Sequence, residues 1–335
     1  MTHVVGIDIA CESFVARILA CSNTETTVGD ATQFDNSNEG FTNCANWFTK
    51  KDLHPEQTLM VMEATGVYWE ALAVFFTQQG HPVSVVNPAQ IKYFSRSVLQ
   101  RGKTDALDAH IIALFGVRMK PRLWNPPSPL SQDLQVLMRQ RDAYVAMLTE
   151  ERCRLHSYEH AAHTPHQAIA ICKGTISFLR KQIKELDESF KNTLHGDPHW
   201  SKLYDLLRSI PSIGTVTAGV FLSETRGLNE FLSSRQLVAY TGIAPAPFSS
   251  GTSVYKKPRI SKIGNARLRK AFYMAAVSSI RHNPTMKIVF DRLLEKGKPK
   301  KLILTAIARK LLVLCFAVCK SEQPYRLNYS RPQLI

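Results

Sequence analysis

The sequence predicts a mixed α/β domain at the N-terminus, a helical connector in the middle and a mainly α-helical, basic domain at the C-terminus. Strand-like runs open the chain and then alternate with helical runs, which is typical of a sheet covered by helices. Heptad-spaced leucines follow a proline-rich break. Excess positive charge is confined to the last two fifths of the chain. We therefore expect domains at 1–125, 126–198 and 199–335.

The first domain is predicted to be a three-stranded meander followed by strand, helix and strand. Predicted strands are 3–9, 13–20, 26–34, 58–62 and 82–86, and predicted helices are 38–51, 68–79 and 104–116. Thr104 is a predicted helix cap, because acids follow it in the first turn. Prolines between positions 121 and 129 then end the domain.

The middle of the chain is predicted to form a helical hairpin, or a coiled-coil seam for a second subunit. One heptad seam, which Arg141 interrupts, carries Leu130, Leu134, Leu137, Tyr144 and Leu148. After a polar break at 161–166, a second seam carries Ile176, Leu179, Ile183, Leu186 and Phe190. Packing within one chain and dimerisation both fit this pattern. The residues beyond 200 are predicted to be mostly helical.

Charge and composition indicate the class of partner. The 335 residues carry a formal net charge of +15, and residues 201–335 hold 23 Lys and Arg against six Asp and Glu. Such an excess points to nucleic acid. The seven cysteines contain no CxxC pair, which argues against structural zinc and a disulfide framework. No signal-peptide pattern is visible and the apolar run 311–318 is short, so we expect a cytoplasmic, nucleoid-associated protein with no membrane partner.

Four carboxylates stand out by position. Asp8 ends the first predicted strand, Glu63 follows strand 58–62, and Asp105 and Asp108 share one face of a helix. Acids that converge need a cation, and oxygen ligands select Mg²⁺ or Mn²⁺. Two such ions can activate the attacking oxygen and stabilise the leaving oxygen of a phosphodiester. Taken singly, the two aspartates could be first-turn acids and Glu63 a helix cap, but the ordered set favours a metal site.

Motifs along nearly the whole chain connect this pattern with a family. The N-terminal motifs are GIDIA at 6–10, MEATGVYWE at 62–70, VNPAQIKYF at 86–94 and KTDALDAHIIA at 103–113. The C-terminal motifs are IPSIGTVTA at 210–218, TGIAPAPFSSGTS at 241–253 and RISKIGNARLRKAFYMAA at 259–276. In this order they resemble the DEDD transposases of the insertion-sequence-110 (Piv-like) family.

The resemblance implies an RNase H-like, RuvC-like N-terminal domain in which the four carboxylates bind the catalytic metal ions. It implies a nucleophilic serine in the C-terminal domain, which maps to Ser250, with Ser249 adjacent. It also implies a recombinase directed by a structured guide RNA. This RNA, called a bridge RNA, pairs with donor and target DNA. Homodimers that pair into tetramers are expected.

Basic residues cluster after the expected nucleophile. The predicted nucleic-acid contacts are Lys256, Lys257, Arg259, Lys262, Arg267, Arg269 and Lys270. Neutralising phosphates releases counterions, so binding here should depend strongly on salt. No pattern that reads base edges is apparent, as expected where base pairing selects the sequence.

Taken with the acids and the basic C-terminal half, the resemblance implies an RNA-guided, metal-dependent DNA transposase with a covalent phosphoserine intermediate. A first alternative is a nuclease similar to Holliday-junction resolvases. It would use the same acids to activate water and would not need Ser250. A second alternative is a basic nucleic-acid-binding protein without catalysis, whose acids only cap helices.

Overall fold

A computed structural model describes residues 2–21, 26–102, 104–250 and 254–327, with the backbone alone at Thr26, 248–250 and 254–258. The chain divides into two compact units, Met1–Pro126 and Pro127–Ile335. Each unit has hydrophobic core clusters of its own.

A five-stranded mixed sheet forms the first unit, in the order β3-β2-β1-β4-β5. The strands are β1 (His3–Ile9), β2 (Ser13–Cys21), β3 (Thr26–Asp35), β4 (Thr58–Glu63) and β5 (Val83–Val86). The first three pair antiparallel as a meander, whereas β1, β4 and β5 are parallel. The predicted mixed α/β N-terminal domain is confirmed.

Helices cover both faces of this sheet. They are α1 (Asn38–Lys50), α2 (Glu70–Gln78), α3 (Pro88–Ser97) and α4 (Asp105–Met119), with a 3₁₀ turn at Pro55–Gln57. Val5 and Ile7 of β1 pack with α1 and α2, whereas Val4 packs with α3 and α4. Because side chains alternate along a strand, Gly6 and Asp8 share the α4 face with Val4.

Helix α3 was not predicted. Its cap is Asn87, whose side chain accepts a hydrogen bond from the amide of Ala89 at 2.8 Å, and Pro88 fills the first helical position. An Asn-Pro pair can end a strand or begin a helix, and here it does both.

Gly6 allows α4 to approach β1 very closely. A Cβ atom at Gly6 would lie 2.1 Å from the carbonyl oxygen of Ala109, and one at Gly116 would lie 2.8 Å from Cγ1 of Val4. Because Ala109 lies beside Gly6 and Gly116 lies beside Val4, the helix runs opposite to the strand. The first turn of α4 is therefore at the end of the sheet where β1 finishes.

The second unit begins with a long helical hairpin of α5 (Pro129–His160) and α6 (His166–His195). Arg141 pairs with Asp187 at 2.6 Å, and the thiol of Cys172 donates to the carboxylate of Glu151. These contacts show that the helices are antiparallel. In the half of the hairpin nearer its turn, the two helices bury Leu148, Cys172, Ile176 and Leu179 between them. Asp187 thus accommodates the arginine that interrupts the leucine seam. The hairpin is observed, and its coiled-coil geometry stays a prediction.

The rest of the second unit is helical around one core. The helices are α7 (Pro198–Arg208), α8 (Thr215–Thr225), α9 (Ser234–Thr241), α10 (Ala266–His282), α11 (Pro284–Glu295) and α12 (Lys300–Ser321), with a 3₁₀ turn at Arg226–Leu228. Phe221, Phe272 and Leu311 are fully buried in this core. Within the part of the chain that the structure describes, α12 alone has the length and apolar composition of a membrane span. It contributes eight buried residues to the core.

The second unit is mainly helical, as predicted, and its described part also contains a β-hairpin of β6 (Pro245–Ser250) and β7 (Val254–Ile260) that the sequence did not indicate. Pro245 and Pro247 lie in β6 and Pro258 lies in β7, and prolines argue against central strands. A two-stranded sheet has only edges, and its register shifts between Ala246 and Phe248, around Pro247. Proline is tolerated in such a sheet because the unpaired side of each strand needs no amide donor.

We predict that Gly6→Ala lowers the free energy of unfolding of the first unit by about 3 kcal/mol, because the added methyl group overlaps the backbone of α4. The matched control is Gly174→Ala in α6, where a Cβ atom meets nothing within 4 Å. That change should stabilise its helix by about 0.5–1 kcal/mol. Urea denaturation measures the stability of both variants, and hydrogen exchange of β1 and α4 peptides shows whether Gly6→Ala loosens the first unit. Equal stability of the two variants would show that α4 does not pack against Gly6.

Candidate metal centre and nucleic-acid interface

Asp8 and Glu63 lie side by side at the C-terminal edge of the sheet. The parallel register pairs Ile7 with Met62, and Asp8 and Glu63 are the next residues on the two strands. Val61 packs with the α4 layer, so Glu63, two residues further on, lies on the same face as Asp8. Both side chains are half-buried.

The first turn of α4 brings Asp105 and Asp108 to the same edge. The Thr104 hydroxyl accepts a hydrogen bond from the amide of Leu107 at 3.2 Å, which confirms the predicted cap. Asp105 lies one turn before Ala109, or about 6 Å along the helix axis. Asp8 lies two residues beyond Gly6, or about 7 Å along the strand, in the same direction. All four predicted carboxylates therefore lie at one edge of the sheet.

These carboxylates do not form a closed ligand set. Within residues 2–21, 26–102 and 104–126, no three His, Cys, Asp or Glu side chains are arranged to hold a metal ion. Asp8, Glu63 and Asp108 each have an interaction within the protein. The hydroxyl of Thr65, for example, donates to Glu63 Oε1 at 3.4 Å. Carboxylate oxygens are ligands that Mg²⁺ and Mn²⁺ prefer. For these four residues to coordinate one ion, their side chains would have to rearrange.

Arg17 is a cation beside this edge that our sequence reasoning missed. It pairs with Gly6 across the β1–β2 ladder and so lies on the face of Asp8. Its Nη1 donates to the carbonyl oxygen of Ala106 at 3.3 Å, within the first turn of α4. Burial, together with the Arg17 guanidinium, holds the pKa of His110 below its ordinary value. An arginine inside the apolar strand SFVARILAC is the signal that points to this residue.

Asn36 joins the loops that follow the first two carboxylates. Its side-chain amide donates to the carbonyl oxygens of Ala10 at 2.9 Å and of Tyr68 at 3.2 Å. Ala10 lies two residues beyond Asp8, and Tyr68 lies five beyond Glu63. One side chain thus fixes the spacing of the two loops. No sequence pattern distinguishes this asparagine from an ordinary turn residue.

Ser250 is the last residue of β6, where its backbone pairs with that of Val254. The side chains of Ser249 and Ser250 lie outside the described residues, and so do residues 251–253. The same holds for the side chains of Lys256 and Lys257. The nucleophile assignment and these two contacts stay predictions.

The other predicted nucleic-acid contacts divide into two groups. Those exposed to solvent are Arg259, Lys262 and Lys270. Arg267 instead donates to the Asp142 carboxylate at 2.7 Å, and Arg269 donates to the Thr241 carbonyl at 2.9 Å. The exposed group is available to phosphates, whereas the second group also holds the unit's own structure together.

Two family models together match most of the chain. Residues 5–158 match a DEDD family described as "Transposase", and residues 204–290 match the "Transposase IS116/IS110/IS902 family". The pilin gene-inverting protein of Moraxella lacunata is 32% identical over 327 residues, which cover 96% of this chain and 97% of that protein. The transposase for insertion sequence element IS1111A of Coxiella burnetii is 26% identical over 295 residues, or 80% of this chain and 79% of that protein.

Among solved structures, Thermus thermophilus RuvC aligns over 36% of this chain and 99% of its own, with a TM-score of 0.29 and 17% identity. The family itself rests on the sequence relatives, one of which is similar along almost the entire chain. The chain therefore belongs to the IS110 family of transposases.

Proposed function

We propose that this protein is an RNA-guided recombinase that moves an insertion sequence by metal-dependent cleavage and rejoining of DNA. The observation that carries the proposal is the position of Asp8, Glu63, Asp105 and Asp108 at one edge of the mixed five-stranded sheet. Membership of a transposase family makes DNA the substrate.

The four carboxylates would hold Mg²⁺ or Mn²⁺. Carboxylates alone repel a phosphodiester, so an edge built from four acids suits DNA chemistry only with cations between the two. An ion held there supplies positive charge at the reacting phosphate. Arg17 and Asn36 would act as positioning residues, because they hold α4 and the two loops in place.

Ser250 would be the nucleophile. Its oxygen forms a bond to phosphorus as the bond to the DNA oxygen breaks. The serine releases its proton, and the departing DNA oxygen becomes a hydroxyl by taking one up. The phosphoserine ester conserves the energy of the broken bond, so a second DNA hydroxyl can reverse the step and join new strands. Because a serine hydroxyl is a weak nucleophile, it requires activation at the site.

We predict that Asp8→Asn or Asp108→Asn lowers the rate of DNA cleavage by at least about 10²-fold, because charge at the reacting phosphate is no longer balanced. DNA affinity should stay within about twofold, since most phosphate contacts lie elsewhere. The control is Asp133→Asn, which changes an exposed acid of α5. Single-turnover cleavage in Mg²⁺ measures the effect. Near-normal cleavage by Asp8→Asn would exclude the metal site.

The nucleophile is tested by trapping covalent protein–DNA adducts on denaturing gels with a nicked substrate. We predict a protease-sensitive adduct with the wild-type protein and with Ser249→Ala, and none with Ser250→Ala. An adduct that survives Ser250→Ala would place the nucleophile elsewhere. Cleavage by the wild-type protein without any adduct would favour hydrolysis by water, as in a resolvase.

A guide RNA is the second partner we propose. The 23 Lys and Arg of residues 201–335, against six acids, support binding of more nucleic acid than a short DNA site alone. We predict that the protein purified from cells that carry its element retains one structured RNA species. The RNA should dissociate as salt is raised, and sequencing should show segments complementary to donor and target DNA. Purification of active protein with no RNA would contradict guidance.

We also propose that the protein forms dimers that pair into tetramers. The α5–α6 hairpin exposes large apolar side chains, namely Val136, Met147, Ile171 and Phe178, in support of a subunit contact. Phe178→Asp, at a side chain that is 56% exposed, should reduce the mass by light scattering to that of a monomer. Lys181→Asp, on the same helix, should leave the mass unchanged. An unchanged mass for Phe178→Asp would exclude this face as the contact.

A further inference from the structure

Ile263 is the apolar tip of the loop between β7 and α10. Its exposed fraction is 82%, compared with 69% for Ile288 and 63% for Ile171, and other isoleucines of the same unit, Ile210 and Ile243 among them, are buried. A side chain so exposed contributes almost nothing to the core that stabilises the unit. Its presence at a loop tip is therefore not explained by folding.

Backbone hydrogen bonds anchor this loop, residues 261–265, to the segment at the C-terminal end of α9. The amide of Ser261 donates to the carbonyl of Ala244 at 3.1 Å, and the amide of Lys262 donates to that of Gly242 at 3.1 Å. The amide of Asn265 donates to the carbonyl of Tyr240 at 2.7 Å. The loop is held on both sides of Ile263.

Close backbone packing restricts the loop further. Gly264 has a φ of +135°, and a Cβ atom there would lie 2.2 Å from the carbonyl oxygen of Tyr240. Gly242 has a φ of +71°, and a Cβ atom there would lie 2.6 Å from the carbonyl oxygen of Ile263. Lys262 has a φ of +58°, a conformation that non-glycine residues rarely adopt. Such backbone persists only where the surroundings determine it, so the loop holds Ile263 rigidly.

A buried glutamate, Glu224, is hydrogen-bonded to the last residue of the same loop. Glu224 is 4% exposed, and its carboxylate accepts a hydrogen bond from the Asn265 side chain at 2.7 Å. The Asn265 side-chain oxygen in turn accepts hydrogen bonds from the amides of Arg267 and Leu268, each at 3.0 Å. The loop and the first turn of α10 therefore form one connected structure.

The surroundings of Ile263 fit a polyanion that also offers apolar surface. Arg259, Lys262 and Lys270 are exposed near it in the chain, and no acid occurs between Gly251 and Arg281. A groove of about 310 Å³ lies between β7, α10 and α12, and its lining includes Ile260, Ala266, Lys270, Tyr273 and Met274. The two residues Ile260 and Ala266 flank the loop on either side. Nucleic acid presents phosphates for the cations and bases and sugars for the apolar side chains.

We propose that Ile263 is a nucleic-acid contact that packs against the bases or sugars of the bound DNA, while the flanking Lys262 contacts phosphate. The proposal rests on the DNA-binding function proposed above and adds an apolar contact to it. A rigid tip suits this role because a side chain that displaces or stacks on a base must not fold back into its own loop. An apolar contact of this kind discriminates little between bases. This is expected of a protein whose DNA target is selected by base pairing with a guide RNA.

The test is the salt dependence of DNA affinity, measured by fluorescence anisotropy with the full-length protein. Ile263→Ala should weaken binding about tenfold, since three carbon atoms lose their apolar contact. The slope of log K against log salt should not change, because an apolar contact releases no counterion. Lys270→Gln should lower that slope by about one. The matched control is Ile288→Ala, which removes an isoleucine of α11 that is 69% exposed and should leave affinity unchanged.

Parallel titrations with DNA and with RNA of equal length show which nucleic acid Ile263 contacts. The proposal requires that Ile263→Ala lowers the affinity for DNA. Unchanged DNA affinity for Ile263→Ala, with an unchanged thermal midpoint, would overturn it even if Lys270→Gln behaves as expected. A change in mass by light scattering would overturn it in favour of a subunit contact. If neither substitution affects DNA binding, the proposed DNA-binding surface itself fails.

Discussion

The close approach of α4 to β1 at Gly6 is the contact on which the candidate metal centre depends. A side chain at this position would overlap the carbonyl oxygen of Ala109, so only glycine allows the helix to dock at this depth. Because α4 packs this closely and runs antiparallel to β1, its first turn lies beside the C-terminal end of β1. Asp105 and Asp108 reach the edge that holds Asp8 for that reason alone. Backbone packing thus places the four acids at one edge, although like charges repel one another.

The second unit uses a similar principle for a different purpose. Gly242 and Gly264 let the loop before α10 pack against the backbone at the end of α9, and the buried Glu224 carboxylate holds Asn265 from below. The result is a fixed loop within a region that carries no acid from Gly251 to Arg281. In both units, glycines permit a close backbone contact. The contact positions side chains that lie next to it in the chain, the candidate metal ligands in the first unit and the exposed Ile263 in the second.

Much of the fold could be predicted from the sequence because local signals agreed with the tertiary structure. Thr104 and its following acids marked the start of α4, and the heptad leucines marked the α5–α6 hairpin. Helix α3 and the β6–β7 hairpin were missed because local signals conflict there. Asn87-Pro88 fits a turn as well as a helix cap, and the prolines of β6 and β7 argue against strands. The four carboxylates were predicted as metal ligands from their places after strands and on one helix face. Arg17 and Asn36 were not, because their roles depend on contacts between residues distant in the chain, Ala106 for one and Ala10 and Tyr68 for the other.

Whether the packing of α4 on β1 gathers the four acids into one divalent-metal centre is tested by anomalous diffraction from crystals of the protein soaked in Mn²⁺. We expect an anomalous peak at the edge of the sheet, within coordination distance of carboxylate oxygens from Asp8 and from at least one of Glu63, Asp105 and Asp108. The peak should be lost in Gly6→Ala, in which α4 is displaced although all four acids remain. A peak that persists unchanged in Gly6→Ala would show that this packing does not assemble the centre, and the absence of any peak at this edge in the wild-type crystals would show that no such centre exists.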